Sequence, residues 1–227
     1  MKLLSCNILI PPAAALCAVI LLAACAGDDV ADRQPVVQNI VQYDGIAEGR
    51  TLFTYYAPGS DTPEELIARG EYIFGEVKAG EALLLAYTAD ATEEGYIFVN
   101  GGRQINNLAL MQSGPEGLEG WDSEGVYLLS AWRAGNRLNM RLNLTYDSAP
   151  RRFAIIVDKT TIDSPWPVAY LFHRRGNETP NFAREYYVSC TLEALFSRDT
   201  VKGLRLRLID TNTASGTPQV RTLSFAR

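Results

Sequence analysis

The chain has 227 residues, 47% of them hydrophobic, a formal net charge of −5 and one histidine. That is enough apolar side chain for one large β domain or two small ones. A single histidine excludes any site built on paired imidazoles, and four cysteines, three of them in the first 25 residues, exclude a disulfide framework in the remaining two hundred or so positions.

The amino terminus starts with Met1-Lys2, is broken by Pro11-Pro12, and runs nearly without polar atoms from Ala13 to Leu22. A charged start before a short apolar stretch is the pattern of an export signal. The stretch begins after two prolines and is shorter than the roughly 20 apolar residues that a membrane-crossing helix needs. It ends in Leu22-Ala23-Ala24-Cys25, which resembles the lipobox of bacterial lipoproteins. The resemblance implies a signal peptide over residues 1–24 and lipidation at Cys25, so the expected partner of the mature amino terminus is a membrane. One acyl chain holds a protein marginally and two or three hold it almost permanently, at about 0.8 kcal/mol per buried methylene.

Residues 25–36 read as a lipidated tether, because Ala26-Gly27-Asp28-Asp29-Val30-Ala31-Asp32 is too small and acidic to bury a core. These acidic residues are similar to the export tag that sends some lipoproteins to the outer face of the outer membrane. The expected location is therefore an outer membrane lipoprotein, surface-exposed or periplasm-facing. Cys190 is the one thiol left in the mature domain, so no intrachain disulfide can form.

Strand signals dominate after residue 36, giving an all-β fold class. Val37 to Tyr43, Thr51 to Tyr56, Glu81 to Tyr87, Gly95 to Val99 and Gln104 to Met111 make five strands within residues 37–114, which fit a small OB-like barrel. Leu83-Leu84-Leu85-Ala86-Tyr87 is apolar on both sides, as a central strand should be. Thr62, Pro63, Glu65 and Gly70 have the spacing of a cap, first turn and stop, and predict one or two turns of helix. Gly101-Gly102 after Asn100 reads as a hairpin turn, since the lysine and helix of a phosphate-binding loop are missing. The breaker-rich run from Gln112 to Gly120 places the domain boundary after residue 114.

Residues 115–227 contain seven more strand signals, enough for a β-sandwich: Tyr127 to Arg133, Arg137 to Tyr146, Phe153 to Val157, Val168 to Phe172, Glu185 to Leu192, Leu204 to Leu208 and Thr222 to Phe225. The clearest is Arg137 to Tyr146, where every even position is apolar and every odd one polar, predicting one buried and one wet face. Gly135-Asn136 before it supplies a hairpin turn.

Charge divides the chain: residues 36–118 hold 12 acidic and 4 basic side chains, residues 119–227 hold 11 acidic and 15 basic. The acidic first half argues against nucleic acid as a partner. Its aromatics Phe53, Tyr55 and Tyr56 form a candidate ligand face for a neutral sugar or peptide, as OB-type barrels use. In the second half Arg137 and Arg141 share one strand face and Arg205 and Arg207 another, a candidate anion-contacting face if the strands are neighbours. Asp147-Ser148-Ala149 and Asp199-Thr200-Val201 resemble a short O-glycosylation acceptor pattern, which makes Ser148 and Thr200 candidate sugar-bearing residues.

Catalytic signals are weak. Any Ser-His-Asp or Cys-His mechanism would have to use His173, which lies beside Arg174 and Arg175 with no nucleophile elbow nearby. Cys190, between Ser189 and Thr191 in an apolar strand context, reads as a small buried hydrophobe. The pairs Glu64-Glu65 and Glu93-Glu94 say little, because separation in space decides whether carboxylates can work as a glycosidase pair. No catalytic residue, metal site or cofactor is expected.

The layout as a whole resembles the NigD-like lipoprotein family. The resemblance is carried by the lipobox with acidic residues behind it, by Gly49-Arg50-Thr51-Leu52 and Gly80 to Tyr87, and by Arg137 to Tyr146, Ala169 to Asn177 and Tyr187 to Leu192. It implies an N-terminal OB-like barrel and a C-terminal β-sandwich in a family linked by name to a bacteriocin operon, and it transfers no site residues. One departure is that Ala26-Gly27 separate Cys25 from the acidic run. The function expected is an envelope-anchored, non-catalytic binding or interaction module with a protein or glycan partner. A carboxylate-dependent glycan hydrolase and a bacteriocin immunity-type protein are the alternatives.

Overall fold

A computed structural model of the chain describes residues 35–119, 123–146, 149–176 and 182–227. The signal peptide, Cys25 and most of the tether lie outside the described residues, as does Ser148. Among the described residues thirteen strands carry the fold: β1 (Val37–Ala47), β2 (Arg50–Tyr56), β3 (Pro63–Ala68), β4 (Ala82–Ala89), β5 (Tyr96–Gln104), β6 (Asn106–Ser113), β7 (Leu128–Ala134), β8 (Arg137–Thr145), β9 (Arg152–Asp158), β10 (Val168–Arg174), β11 (Ala183–Thr191), β12 (Gly203–Asp210) and β13 (Gln219–Ala226). A short helix, α1 (Glu193–Phe196), follows β11.

The first five strands close into a barrel in the order β1-β2-β3-β5-β4, the Greek-key arrangement of an OB-type barrel. Closure depends on the length of β1, whose first half pairs with β4 and whose second half pairs with β2 across a bulge between Tyr43 and Gly45. Val41, Phe53, Leu66, Leu83, Leu85 and Ile97 fill the interior. Phe74 lies across β5 at Gly102, where a Cβ would come within 2.3 Å of its ring. Gly101 and Gly102 are thus strand residues rather than the expected turn, and the glycine is needed for ring packing.

The predicted helix over residues 62–70 is strand β3. Burial there alternates, with Leu66 and Ala68 inside the barrel and Glu65 outside. The barrel needs a strand between β2 and β5, so tertiary pairing overrides the capping signal. Pro63 is compatible with both readings, since it can open a strand as well as a helix.

The remaining eight strands form one sheet in the order β13-β12-β10-β9-β6-β11-β8-β7. Instead of two separate sheets facing each other, this sheet curls until its ends approach. There Val126 forms a parallel bridge with Asp210. The buried Asp210 carboxylate fastens the closure by accepting hydrogen bonds from Leu128 N at 3.3 Å, Asn212 N at 2.9 Å and Arg221 Nη1 at 2.7 Å. All seven strands expected in the second half are present, and Leu138, Met140, Leu142 and Leu144 of β8 point into the core as the alternation predicts. Each such side chain contributes roughly 1.5–3 kcal/mol on burial. Leu195 and Phe196 of α1 belong to the same core.

Strand β6 corrects the expected boundary. The sequence pattern groups it with the barrel, yet it pairs in parallel with both β9 and β11 at the centre of the large sheet. The change of sheet falls at buried Ile105, well before the breaker-rich run. Loops must satisfy their backbone groups with water, whereas a strand of residues such as Asn106-Asn107-Leu108 can hand them to neighbours on both sides.

Side-chain hydrogen bonds fasten barrel and sheet to each other, and residues 36–227 form one compact unit. The Asn107 side chain bonds both the N–H and the carbonyl of Ala82 at 2.8 Å, continuing the β4 ladder past the point where β5 ends. Arg137 Nη2 of β8 donates to the carbonyl of Gly80, just before β4. Arg133, 8% exposed, reaches from β7 into the loop after β2, pairing with Asp61 and donating to the carbonyls of Gly59 and Gly135. Replacing Arg133 with Ala leaves those carbonyls unpaired and is expected to cost about 1–3 kcal/mol in urea unfolding. Asp61→Asn, at an exposed carboxylate, should cost less than about 1 kcal/mol.

Candidate functional site

Where β1 and β2 of the barrel lie against the β7–β8 hairpin and the end of β11, a cleft of about 490 Å3 opens. The outward face of β8 supplies its floor. Arg137 and Asn139 lie two residues apart on that face, and β11 places Ser189 opposite Asn139 and Thr191 opposite Arg137. On the barrel side Ile40, Gln42, Thr54 and Tyr56 form the wall, and Glu193 of α1 is the one carboxylate among the lining residues. Tyr56 is seated over the hairpin turn, where Gly135 has φ +53 and a Cβ would come within 3.0 Å of the tyrosine ring. Only glycine allows both the left-handed turn and the close approach.

Two features give the floor chemical character. Asn139 is 2% exposed, and its Oδ1 has no hydrogen-bond partner among the described residues. An unpaired buried acceptor costs about 1–3 kcal/mol, so it marks a position where a donor is wanted. Beside it, Arg137 Nη1 donates to Ser189 Oγ at 3.2 Å and Nη2 donates to the Gly80 carbonyl. No carboxylate forms a salt bridge with this guanidinium among the described residues, and burial pulls its pKa down. The cleft thus presents the Arg137 guanidinium with hydroxyl and amide groups around it, above a buried and unpaired Asn139 acceptor.

The residues singled out from sequence are not brought together. Phe53 is fully buried in the barrel core and Tyr55 packs against that core, so of the three aromatics only Tyr56 borders the cleft. The period of two explains the split, since Phe53 and Tyr55 face inward while Thr54 and Tyr56 face outward. The four arginines do not form one face either. Strands β8 and β12 are not neighbours. Arg141 pairs with Glu185, Arg205 is exposed on β12, and the Arg207 guanidinium carbon lies 5.3 Å from the Tyr170 ring centroid. Of these four, Arg137 alone lines the cleft. Thr200 is exposed in a turn after α1.

His173 is buried, and its partners fix its protonation. Arg151 Nη1 lies 2.8 Å from Nε2 and can only donate, so Nε2 accepts and the ring proton is on Nδ1, which donates to the Glu124 carbonyl at 3.2 Å. Burial, with the Arg151 charge in support, holds the imidazole pKa below its ordinary value. Cys190 is buried in the sheet core, and desolvation pushes its thiol up to about 12, far from a nucleophilic thiolate. No group of three or more metal-ligating side chains occurs among the described residues.

An OB-type barrel fused to a curled eight-stranded sheet defines the architecture, and several solved structures share it. A NigD-like immunity protein from Bacteroides caccae superposes with a TM-score of 0.62 at 15% identity, covering 86% of this chain and 99% of that one. A lipoprotein candidate from Bacteroides fragilis gives 0.62 at 10% identity over 85% and 98%. A protein of unknown function from Bacteroides vulgatus gives 0.59 at 16% over 85% and 91%. At these identities the likeness is one of fold, and it is the NigD-like layout expected from the sequence. No family model and no curated protein matches the chain.

The His173 environment predicts a pH dependence. The unfolded chain protonates this residue near its ordinary pKa of about 6.5 while the folded protein resists until lower pH. Between the two values the unfolded state binds more protons, so stability is fully present above about 6.5 and falls as the solution is acidified. The melting temperature of the wild type should drop between pH 7 and pH 5, and His173→Gln should flatten that drop. Equal slopes in the two proteins would contradict a neutral buried imidazole.

Proposed function

We propose that the chain is an outer-membrane-anchored lipoprotein of the NigD-like kind whose folded part is a non-catalytic binding module. The anchor rests on the resemblance of Leu22-Ala23-Ala24-Cys25 to a lipobox and on the short acidic tether behind it. The folded part is read as a binder from one observation above all: the cleft between barrel and sheet is lined by polar side chains around the Arg137 guanidinium, whose hydrogen bonds go to Ser189 Oγ and the Gly80 carbonyl and not to a carboxylate. A carboxylate-dependent hydrolase would need a second carboxyl group facing Glu193 across the cleft, and the lining residues supply none.

An immunity-type role is the second reading, because the shared fold includes a NigD-like immunity protein. Both readings place the folded part outside the cytoplasm on a lipid anchor. Cells fed an alkyne-tagged fatty acid should incorporate the label into the wild-type protein, and Cys25→Ala should lose both the label and the membrane fraction. An intact mass showing a bare Cys25 with residues 1–24 retained would overturn the proposal.

A further inference from the structure

We infer that the cleft between the barrel and the large sheet is a binding site for a small zwitterion, an amino acid or a short peptide with free ends, whose carboxylate meets Arg137 and whose ammonium meets Glu193. This deepens the binding-module reading above and rests on it.

Arg137 sets the first requirement. A guanidinium has five N–H donors, and here two of them go to Ser189 Oγ and the Gly80 carbonyl, which leaves three. Those two bonds hold the planar group at the junction of barrel and sheet, since Gly80 precedes β4 and Ser189 belongs to β11. The side chain is half-buried and lines the cleft, and no carboxylate bonds it among the described residues. A partly desolvated cation that is held in place without a counterion is matched by a carboxylate, which can accept two parallel bonds from such a fork.

Glu193 sets the second. Thr191 is opposite Arg137 in the β8–β11 ladder, and Glu193 follows two residues later at the start of α1, so the backbone brings the two charged residues near each other. Burial is the largest influence on the Arg137 pKa and lowers it, while Cys190, Glu81 and Glu193 raise it through space. Of these three groups Glu193 alone lines the cleft, and it acts on the guanidinium without a hydrogen bond. One ligand bearing both signs pairs with both side chains.

The same pair of charges selects against other ligands. A polyanion meets repulsion at Glu193 and a polyamine meets it at Arg137, while a neutral ligand displaces water from both charges and gives neither a counterion. Elsewhere on the lining Gln42, Thr54 and Asn136 offer amide and hydroxyl groups to a peptide unit, and Tyr56 with Ile40 gives a side chain apolar cover. At about 490 Å3 the cleft is within the roughly 300–1,000 Å3 of ordinary small-ligand sites.

The test uses the mature lipidated protein in detergent. The standard amino acids and a set of unblocked di- and tripeptides are screened by thermal shift, and calorimetry on the best member is repeated with its N-acetyl and C-amide forms and with inorganic phosphate. Hits among the amino acids or among the peptides both support the site and tell which of the two it takes. Each cap should weaken binding by roughly tenfold or more. Arg137→Gln should weaken the unblocked ligand by a similar factor and bind the C-amide form no worse than the wild type does, and Glu193→Gln should behave in the same way toward the N-acetyl form. Those pairings assign each charge to its partner, which a general loss of structure does not imitate. If Arg137→Gln does not fold, Arg137→Lys, which keeps the charge and loses the fork, and Glu193→Gln, at an exposed position, decide the matter by the same titration.

A screen without a hit, capped forms that bind as well as the free one, phosphate bound in preference to every zwitterion, or unchanged affinity in either variant would overturn the inference. A blank screen leaves the anchored binding module standing. Cleavage of a bound peptide would keep the zwitterion site and remove the non-catalytic reading, so the two can fail separately.

Discussion

The passage of the chain from barrel to sheet through a single buried residue, Ile105, governs the rest of the molecule. With no linker between β5 and β6, the two β bodies are held where they emerge, and the next residues fasten them. Asn107 acts as a surrogate strand, giving β4 at Ala82 the pair of hydrogen bonds that a backbone neighbour would give. Arg133 makes the complementary attachment on the other side, where the loop after β2 meets the β7–β8 hairpin. Between these attachments the surfaces do not fully touch, and the gap is the cleft.

That arrangement explains why the polar side of β8 is not wet throughout. The alternation of Arg137 to Thr145 correctly divides the strand into two faces. One face fills the sheet core. The barrel partly covers the other, so Asn139 and Ser189 are buried while Arg141, further along, pairs with Glu185 in solvent. Periodicity reports which residues share a face, and it cannot report whether a second body covers that face. Asn139 therefore carries no sequence signal of its own.

Strands whose pattern is set locally are legible in the sequence: the seven of the large sheet's second-half run, and the long apolar β4 at the centre of the barrel. Elements decided by pairing are not. Pro63 to Ala68 has good helix-start chemistry and is nevertheless a strand, because β2 and β5 need a partner between them. Asn106 to Ser113 is visible as a strand, but its place at the centre of the large sheet depends on parallel partners that come about 45 and 80 residues later in the chain. The aromatic cluster at residues 53–56 reads as one surface, although a strand must divide it between core and wall. His173 and Cys190 are readable as structural because neither has neighbours that could activate it, and their burial is consistent with that.

The central claim is that barrel and sheet behave as one cooperative body, because a ligand site between them needs walls that do not drift apart. Native-state hydrogen exchange tests this most directly, since independent bodies open with separate free energies. Amides of Leu83 and Leu85 in the barrel core and of Met140 and Leu206 in the sheet core should exchange only through a common opening, with matching free energies and the same dependence on denaturant. Barrel amides that exchange through a cheaper opening while the sheet remains protected would contradict the account.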